Sequence, residues 1–194
     1  FLDYVRPDHV TLTPVNLHAV VSSCVYAVQD HRELQITMSV PEDLNVLADE
    51  VELARVISNL LENARRYGKA EDTGITNVDI AAKGRENWVL VKLRDHGPGV
   101  PPEQLSNLTK PFFRGDSART AAAGAGLGLS IVDKTVQRMG GIFALANSST
   151  GGLVAHLQLQ RATDLPEGAD PKQRLQRPSV KRQLPRRRAE DRMA

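Results

Sequence analysis

The chain has 194 residues, enough for one ordinary domain able to bury roughly 70% of its unfolded surface. Cys24 is its single cysteine, which excludes an internal disulfide, and an apolar content of 41% with no run of about 18 apolar residues points to a soluble protein of a reducing compartment, the cytosol by default. The formal charge of +2 is unevenly spread: residues 162–194 carry nine Lys/Arg against five Asp/Glu, so residues 1–161 are slightly acidic and do not suggest a nucleic-acid-binding body.

The opening residues Phe1 to Arg6 read as the last turn of a helix stopped by Pro7. A start at Phe1 without a signal peptide is expected of a piece of a longer protein, with any membrane anchor upstream. Residues 1–9 are therefore taken as the end of an upstream helix and a linker, 10–161 as the folded body, and 162–194 as a basic, disordered, solvated tail.

From Pro14, the run Val15, Leu17, Val20, Val21, Cys24, Val25 and Val28 has helical spacing, and short apolar runs at 36–40 and 44–48 follow as strands. A second helix is predicted from near Asp49, with Gly68 placed to end it. Strands at 78–82 and 88–94 precede a long irregular stretch, 96–126, with a short helical piece after Pro102. A third helix spans about 126–139, closed by Gly140-Gly141, and strands follow at 142–146 and 153–160. Without regular βαβ alternation, the pattern predicts an α+β two-layer sandwich, a mixed sheet covered by helices on one face.

On the second helix Leu53, Val56, Ile57, Leu60 and Ala64 form the core face, and Asn59, Asn63 and Arg66 share the adjoining flank, with Tyr67 between them and the apolar stripe. An amide oxygen such as that of Asn63 suits Mg²⁺, Arg66 suits phosphate oxygens and the Tyr67 ring suits a flat ligand; a solvated helix flank explains the same residues taken alone. Asp95-His96-Gly97-Pro98-Gly99 follows a predicted strand. Its carboxylate is placed to accept a hydrogen bond from an exocyclic amine such as that of adenine, while Gly97 and Gly99 admit close backbone approach, although Gly-Pro-Gly also marks a plain turn.

Gly124, Gly126 and Gly128 stand immediately before the third helix, whose first free N–H groups form an anion site; a flexible hinge is the alternative. The spacing is not that of a dinucleotide fingerprint, and no Gly-Lys-Ser/Thr of a Walker motif occurs. Between the glycine motifs, Phe112 and Phe113 can pin one end of a lid while Arg114 and Arg119 close over a triphosphate; the arginines can equally be solvated charges.

In order and spacing these four elements resemble the N, G1, F and G2 boxes of the sensor histidine kinase catalytic domain, within the wider fold shared with gyrase, Hsp90 and MutL. The likeness spans about residues 1–160, and Arg114 to Arg119 look like the EnvZ subclass. The resemblance implies about five strands covered on one face by three helices, with a long ATP lid. It implies ATP and Mg²⁺ as cofactors. Asn63 would bind the metal with Asn59 supporting it; Arg66, Arg114 and Arg119 would meet the phosphates; Tyr67 would pack on adenine; Asp95 would take its amine; and Gly124, Gly126, Leu127 and Gly128 would form the phosphate-facing run. Asn59, Asn63, Arg114 and Arg119 would be the catalytic set.

The hydrolytic relatives carry Glu where this chain has Asn59, and an amide cannot act as a general base. Transfer to an outside histidine is therefore expected, with an ATP-hydrolysing conformational switch as the alternative. None of the five histidines fits the phosphoacceptor motif; His31-Arg-Glu-Leu comes closest but lacks the following acid and the proline. Expected partners are the protein's own upstream dimerisation and phosphoacceptor domain, as a homodimer, and an OmpR-type response regulator. No nucleic acid is expected, and a bacterial inner membrane enters only through upstream segments.

Overall fold

The computed structural model describes residues 10–70, 72–111 and 127–163. The expected helix end at Phe1–Arg6, the lid, including Arg114, Arg119, Gly124 and Gly126, and nearly all of the tail lie outside the described residues.

Strand β1, Thr13–Asn16, opens the described body and leads directly into helix α1, Leu17–Val28. The helix expected from Pro14 thus begins three residues later. Pro14 has no N–H, Val15 is β-branched and buried, and both pair as strand with β3, Asn45–Ala48, where Val15 faces Val46. Asn16 sets the boundary: its side-chain oxygen accepts from the Ala19 N–H at 2.8 Å and its Nδ2 donates to the Glu42 carbonyl at 2.8 Å.

The second sheet is the expected mixed, five-stranded one. It comprises β2 (Leu34–Ser39), β4 (Thr76–Gly84), β5 (Trp88–Asp95), β6 (Ile142–Asn147) and β7 (Leu153–Gln160), in the spatial order β2-β4-β5-β7-β6. Only β2 and β4 run parallel; the other neighbours are antiparallel. The two-residue period sorts the faces. Val78, Ile80, Val89, Val91, Leu93, Ala155, Leu157 and Leu159 are buried, while Lys83, Lys92 and His156 look outward.

Helix α2, Glu50–Tyr67, meets the inner face with Leu53, Val56, Ile57, Leu60, Leu61 and Ala64, all buried. Asp49 caps it by accepting from the Glu52 N–H, and Glu50 and Glu52 in its first turn and Arg65 and Arg66 in its last complement the helix dipole. A short helix α3, Pro102–Leu105, follows the loop after β5, and α4, Gly128–Arg138, adds Val132 and Val136 to the core beside α2. The ion pair from Arg138 Nη2 to Glu52 Oε2, 3.3 Å, ties α4 to α2.

Candidate functional site

The end of β5 and the last turns of α2 meet at one cleft. Leu60, Asn63, Ala64, Leu93, Asp95, Leu129, Leu145, Leu153 and Ala155 line it, and its void space, counted with the open solvent it contains, is about 230 Å³. Apolar walls with an amide and a carboxylate as the polar groups suit a flat heteroaromatic ring carrying a donor. Asn63 and Asp95, 32 positions apart in the chain, thus line one cleft.

Close backbone packing causes that meeting. Gly68 ends α2 with its N–H on the Ala64 carbonyl at 2.7 Å and φ of −94°, so it does not need the left-handed conformation that a terminating glycine usually supplies. Crowding is the reason for glycine here. A Cβ on Gly68 would stand 2.6 Å from Asp95 Cβ, and one on Gly97 would stand 2.7 Å from Gly68 Cα. The helix end and the loop after β5 therefore touch backbone to backbone.

Asp95 is 6% exposed. Its Oδ1 accepts from the Gly97 N–H at 3.0 Å and the Leu153 N–H at 3.1 Å, and among the described residues no donor reaches Oδ2. Burial pushes the carboxyl above its ordinary range, opposed by those two backbone donors. The remaining oxygen is the acceptor that an exocyclic amine requires.

Asn63 is half-buried, and among the described residues its amide forms no hydrogen bond, so its oxygen is open to a ligand in the cleft. Asn59, one turn earlier, is half-buried too but does not line the cleft; neither does Tyr67, which is 38% exposed. Arg66 stands at the exposed end of α2 with Nε on Glu62 Oε1 at 2.5 Å. Glu62 is half-exposed and is gripped by Arg65 as well, through Nε at 2.8 Å and Nη2 at 2.9 Å.

The Arg65 hydrogen bond, with help from Arg66, lowers the Glu62 carboxyl to about 2. A carboxyl lowered in the folded state stabilises it above the ordinary value, 4.5, and that contribution is lost as pH falls through about 2. Glu62→Gln is accordingly expected to lower stability near neutral pH by no more than about 1 kcal/mol, since the pair is solvent-screened. In urea melts the gap from the parent chain should narrow between those two pH values; a constant gap would contradict the pairing.

Gly97 and Gly99 sit in the loop after β5, Gly99 with φ of +73°. His96 is turned to Asp79 on β4, with Nε2 2.7 Å from Oδ2. Leu127 and Gly128 open α4, whose first N–H groups lack partners within the helix, and a Cβ on Gly128 would meet nothing within 4 Å among the described residues. Sequence reasoning missed Asn147, Gly152 and Leu153. Gly151-Gly152 signals a turn, but nothing in a sequence shows that the turn reaches Asp95, or that Leu153 contributes its backbone N–H.

Residues 48–163 match the family model described as histidine kinase-, DNA gyrase B- and HSP90-like ATPase, and the chain belongs to that family. Within it the chain has the form of a sensor histidine kinase ATP-binding catalytic domain. The signal transduction histidine-protein kinase BaeS of Escherichia coli K12 is 34% identical over 135 residues, 69% of this chain and 28% of that protein. The chain therefore spans little more than a quarter of that relative. A mycobacterial sensor histidine kinase, MprB, superposes with a TM-score of 0.67 at 26% identity, covering 77% of this chain and 98% of that structure. ShkA, solved full-length in complex with AMPPNP, shares the fold with a TM-score of 0.68 at 24% identity, covering 81% of this chain and 33% of that one.

Proposed function

We propose that the cleft between α2 and the end of β5 holds Mg²⁺-ATP and presents its γ-phosphate to a histidine of an upstream dimerisation and phosphoacceptor domain. The observation that carries this reading is the convergence of Asn63 and Asp95 on one apolar cleft beside the start of α4. Asp95 Oδ2 accepts the amine of adenine, whose ring lies against Leu93, Leu145 and Ala155. Gly128 and the N–H groups after it face the phosphates. Arg66 is within the same helix turn as Asn63 and reaches the phosphates by exchanging its Glu62 contact for theirs; Arg65 keeps Glu62 paired when it does so. The lid arginines Arg114 and Arg119 approach from outside, Asn59 supports the metal side, and Tyr67 covers the base from the helix end.

The donors present fit magnesium. The Asn63 amide, which lines the cleft and forms no hydrogen bond among the described residues, offers the kind of oxygen that magnesium takes beside nucleotide phosphates and water. Asn63, supported by Asn59, would hold it, and its charge would neutralise the phosphate oxygens.

Transfer, rather than hydrolysis, follows from the bases at hand. Asn59 cannot accept a proton from water, and Glu62, lowered to about 2 and bound by two arginines, is a poor proton acceptor. The attacking imidazole brings its own lone pair. Its nitrogen bonds to the γ-phosphorus as the bond to the bridging oxygen breaks, and ADP leaves; the domain's task is alignment and charge neutralisation. The phosphoryl group then passes to the aspartate of an OmpR-type response regulator. No helix among the described residues is long and apolar enough to cross a membrane.

Asn63→Ala is expected to leave the fold intact, since the side chain bonds to none of the described residues, and to weaken ATP binding in the presence of Mg²⁺ about tenfold or more. Calorimetry with and without Mg²⁺ reads this directly: the parent should gain affinity from the ion and the variant should not. Equal metal dependence in both would remove Asn63 from the metal site.

A further inference from the structure

The carboxylate that reads the base is oriented by two N–H groups from different segments, Gly97 in the loop after β5 and Leu153 at the start of β7. Something must hold those segments in register, because a carboxylate gripped from two sides turns if either side slips. Asn147, the last residue of β6, joins them. Its Nδ2 donates to the Val100 carbonyl at 2.6 Å and its Oδ1 accepts from the Val100 N–H at 3.0 Å, so one side-chain amide replaces a pair of strand hydrogen bonds. Gly99 makes room: its φ is +73°, and a Cβ there would stand 2.8 Å from Asn147 Oδ1.

The other half of the brace is Arg94, the residue before the carboxylate. Its Nη2 donates to Thr150 Oγ1 at 2.7 Å and to the Gly151 carbonyl at 2.8 Å, while the turn closes on itself through Ser148 N–H to the Gly152 carbonyl at 2.9 Å. Leu153 then leaves that turn with its N–H aimed at Asp95. Asn147 stands at the point where the braced turn and the Gly97–Val100 loop meet.

We propose that Asn147 is a positioning residue for base selection, which fixes Asp95 so that Oδ2 faces the cleft and accepts from a 6-amino purine in preference to a 6-oxo purine. This rests on the reading of Asp95 as the base acceptor. Asn147 touches no nucleotide itself; it acts through the loop and turn that hold Asp95 Oδ1.

The test uses the 194-residue chain and titrates Mg²⁺-ADP and Mg²⁺-GDP into the parent, Asp95→Asn, Asn147→Asp and Asn147→Ala, with melting temperatures measured alongside. Asn147→Asp keeps the acceptor for Val100 N–H but loses the donor, and sets a carboxylate against the Val100 carbonyl. Both Asn147 variants are expected to lose about tenfold in ADP affinity with little change for GDP, shrinking the ADP-over-GDP ratio. A variant that merely loosens the fold would lower both affinities together. An unchanged ratio in the Asn147 variants, with a reduced ratio in Asp95→Asn, overturns the proposal and leaves the Asp95 reading standing. If Asp95→Asn leaves the ratio unchanged, the base-acceptor reading fails and the proposal with it. If either Asn147 variant unfolds, the other supplies the ratio; if both do, Asn147 is a folding residue and the proposal is overturned.

Discussion

Asp95→Asn is expected to cost the domain about a hundredfold in adenine nucleotide affinity while leaving it folded. The substituted amide keeps an oxygen for the Gly97 and Leu153 N–H groups, so the local backbone retains its acceptor. The second position changes from acceptor to donor, and an N–H₂ group facing the amine of adenine leaves two donors opposed in a buried site, a penalty of about 2–3 kcal/mol. Stability should not fall. Because burial raises the Asp95 carboxyl above its ordinary value, its ionised form opposes folding at pH above that raised value, an effect that disappears below the ordinary value, and a neutral amide removes it. Fluorescent nucleotide titration together with thermal melts separates the two quantities. Loss of both binding and fold would show that Asp95 is chiefly structural.

Gly152→Ala should produce the largest stability loss among single substitutions around the cleft. Gly152 has φ of +89°, and an added Cβ would fall inside bonding range of the Asp95 carbonyl oxygen, a backbone atom that cannot rotate aside. Relief requires the 148–152 turn to back away from β5, which breaks the Leu153 to Asp95 hydrogen bond and the Arg94 contacts at once. A loss of at least about 2 kcal/mol, with nucleotide binding abolished, is expected. Gly74→Ala makes a contrasting control: it shares a positive φ, but its Cβ meets nothing within 4 Å. Urea denaturation of the two variants distinguishes crowding from backbone strain. Equal losses would show that φ alone accounts for the cost.

Much of the architecture was legible because it follows from local rules. The alternation of Val89, Val91 and Leu93 with Leu90, Lys92 and Arg94 marks β5, and Asp49 with Leu53, Val56, Ile57 and Leu60 marks the start and buried face of α2. The same rules misread residues 14–16. Val15 fits the helical series by spacing, yet pairing with Val46 decides its state, and that partner lies 31 positions away.

The site shows the same division. Asn63 and Asp95 were identifiable by type and context, and the structure brings them to one cleft. The reasons they meet were hidden, because Gly68, Gly97 and Gly152 matter through close contacts between distant segments, and a glycine looks the same in a sequence whether it turns a chain or admits a neighbour. Asn147 was equally invisible: one asparagine at a strand end carries no mark of the loop it braces.

The central claim is that Asn63 and Asp95 serve one nucleotide in one cleft. A ¹H–¹⁵N NMR titration with Mg²⁺-ADP examines it most directly, through the Asn63 side-chain amide and the backbone amides of Gly97, Leu129 and Leu153. The account requires these signals to move together along one saturable curve, while Lys92 and His156 on the outer face of the sheet stay still. Saturable shifts confined to that outer face, or the absence of any shift at the four cleft positions, would contradict it.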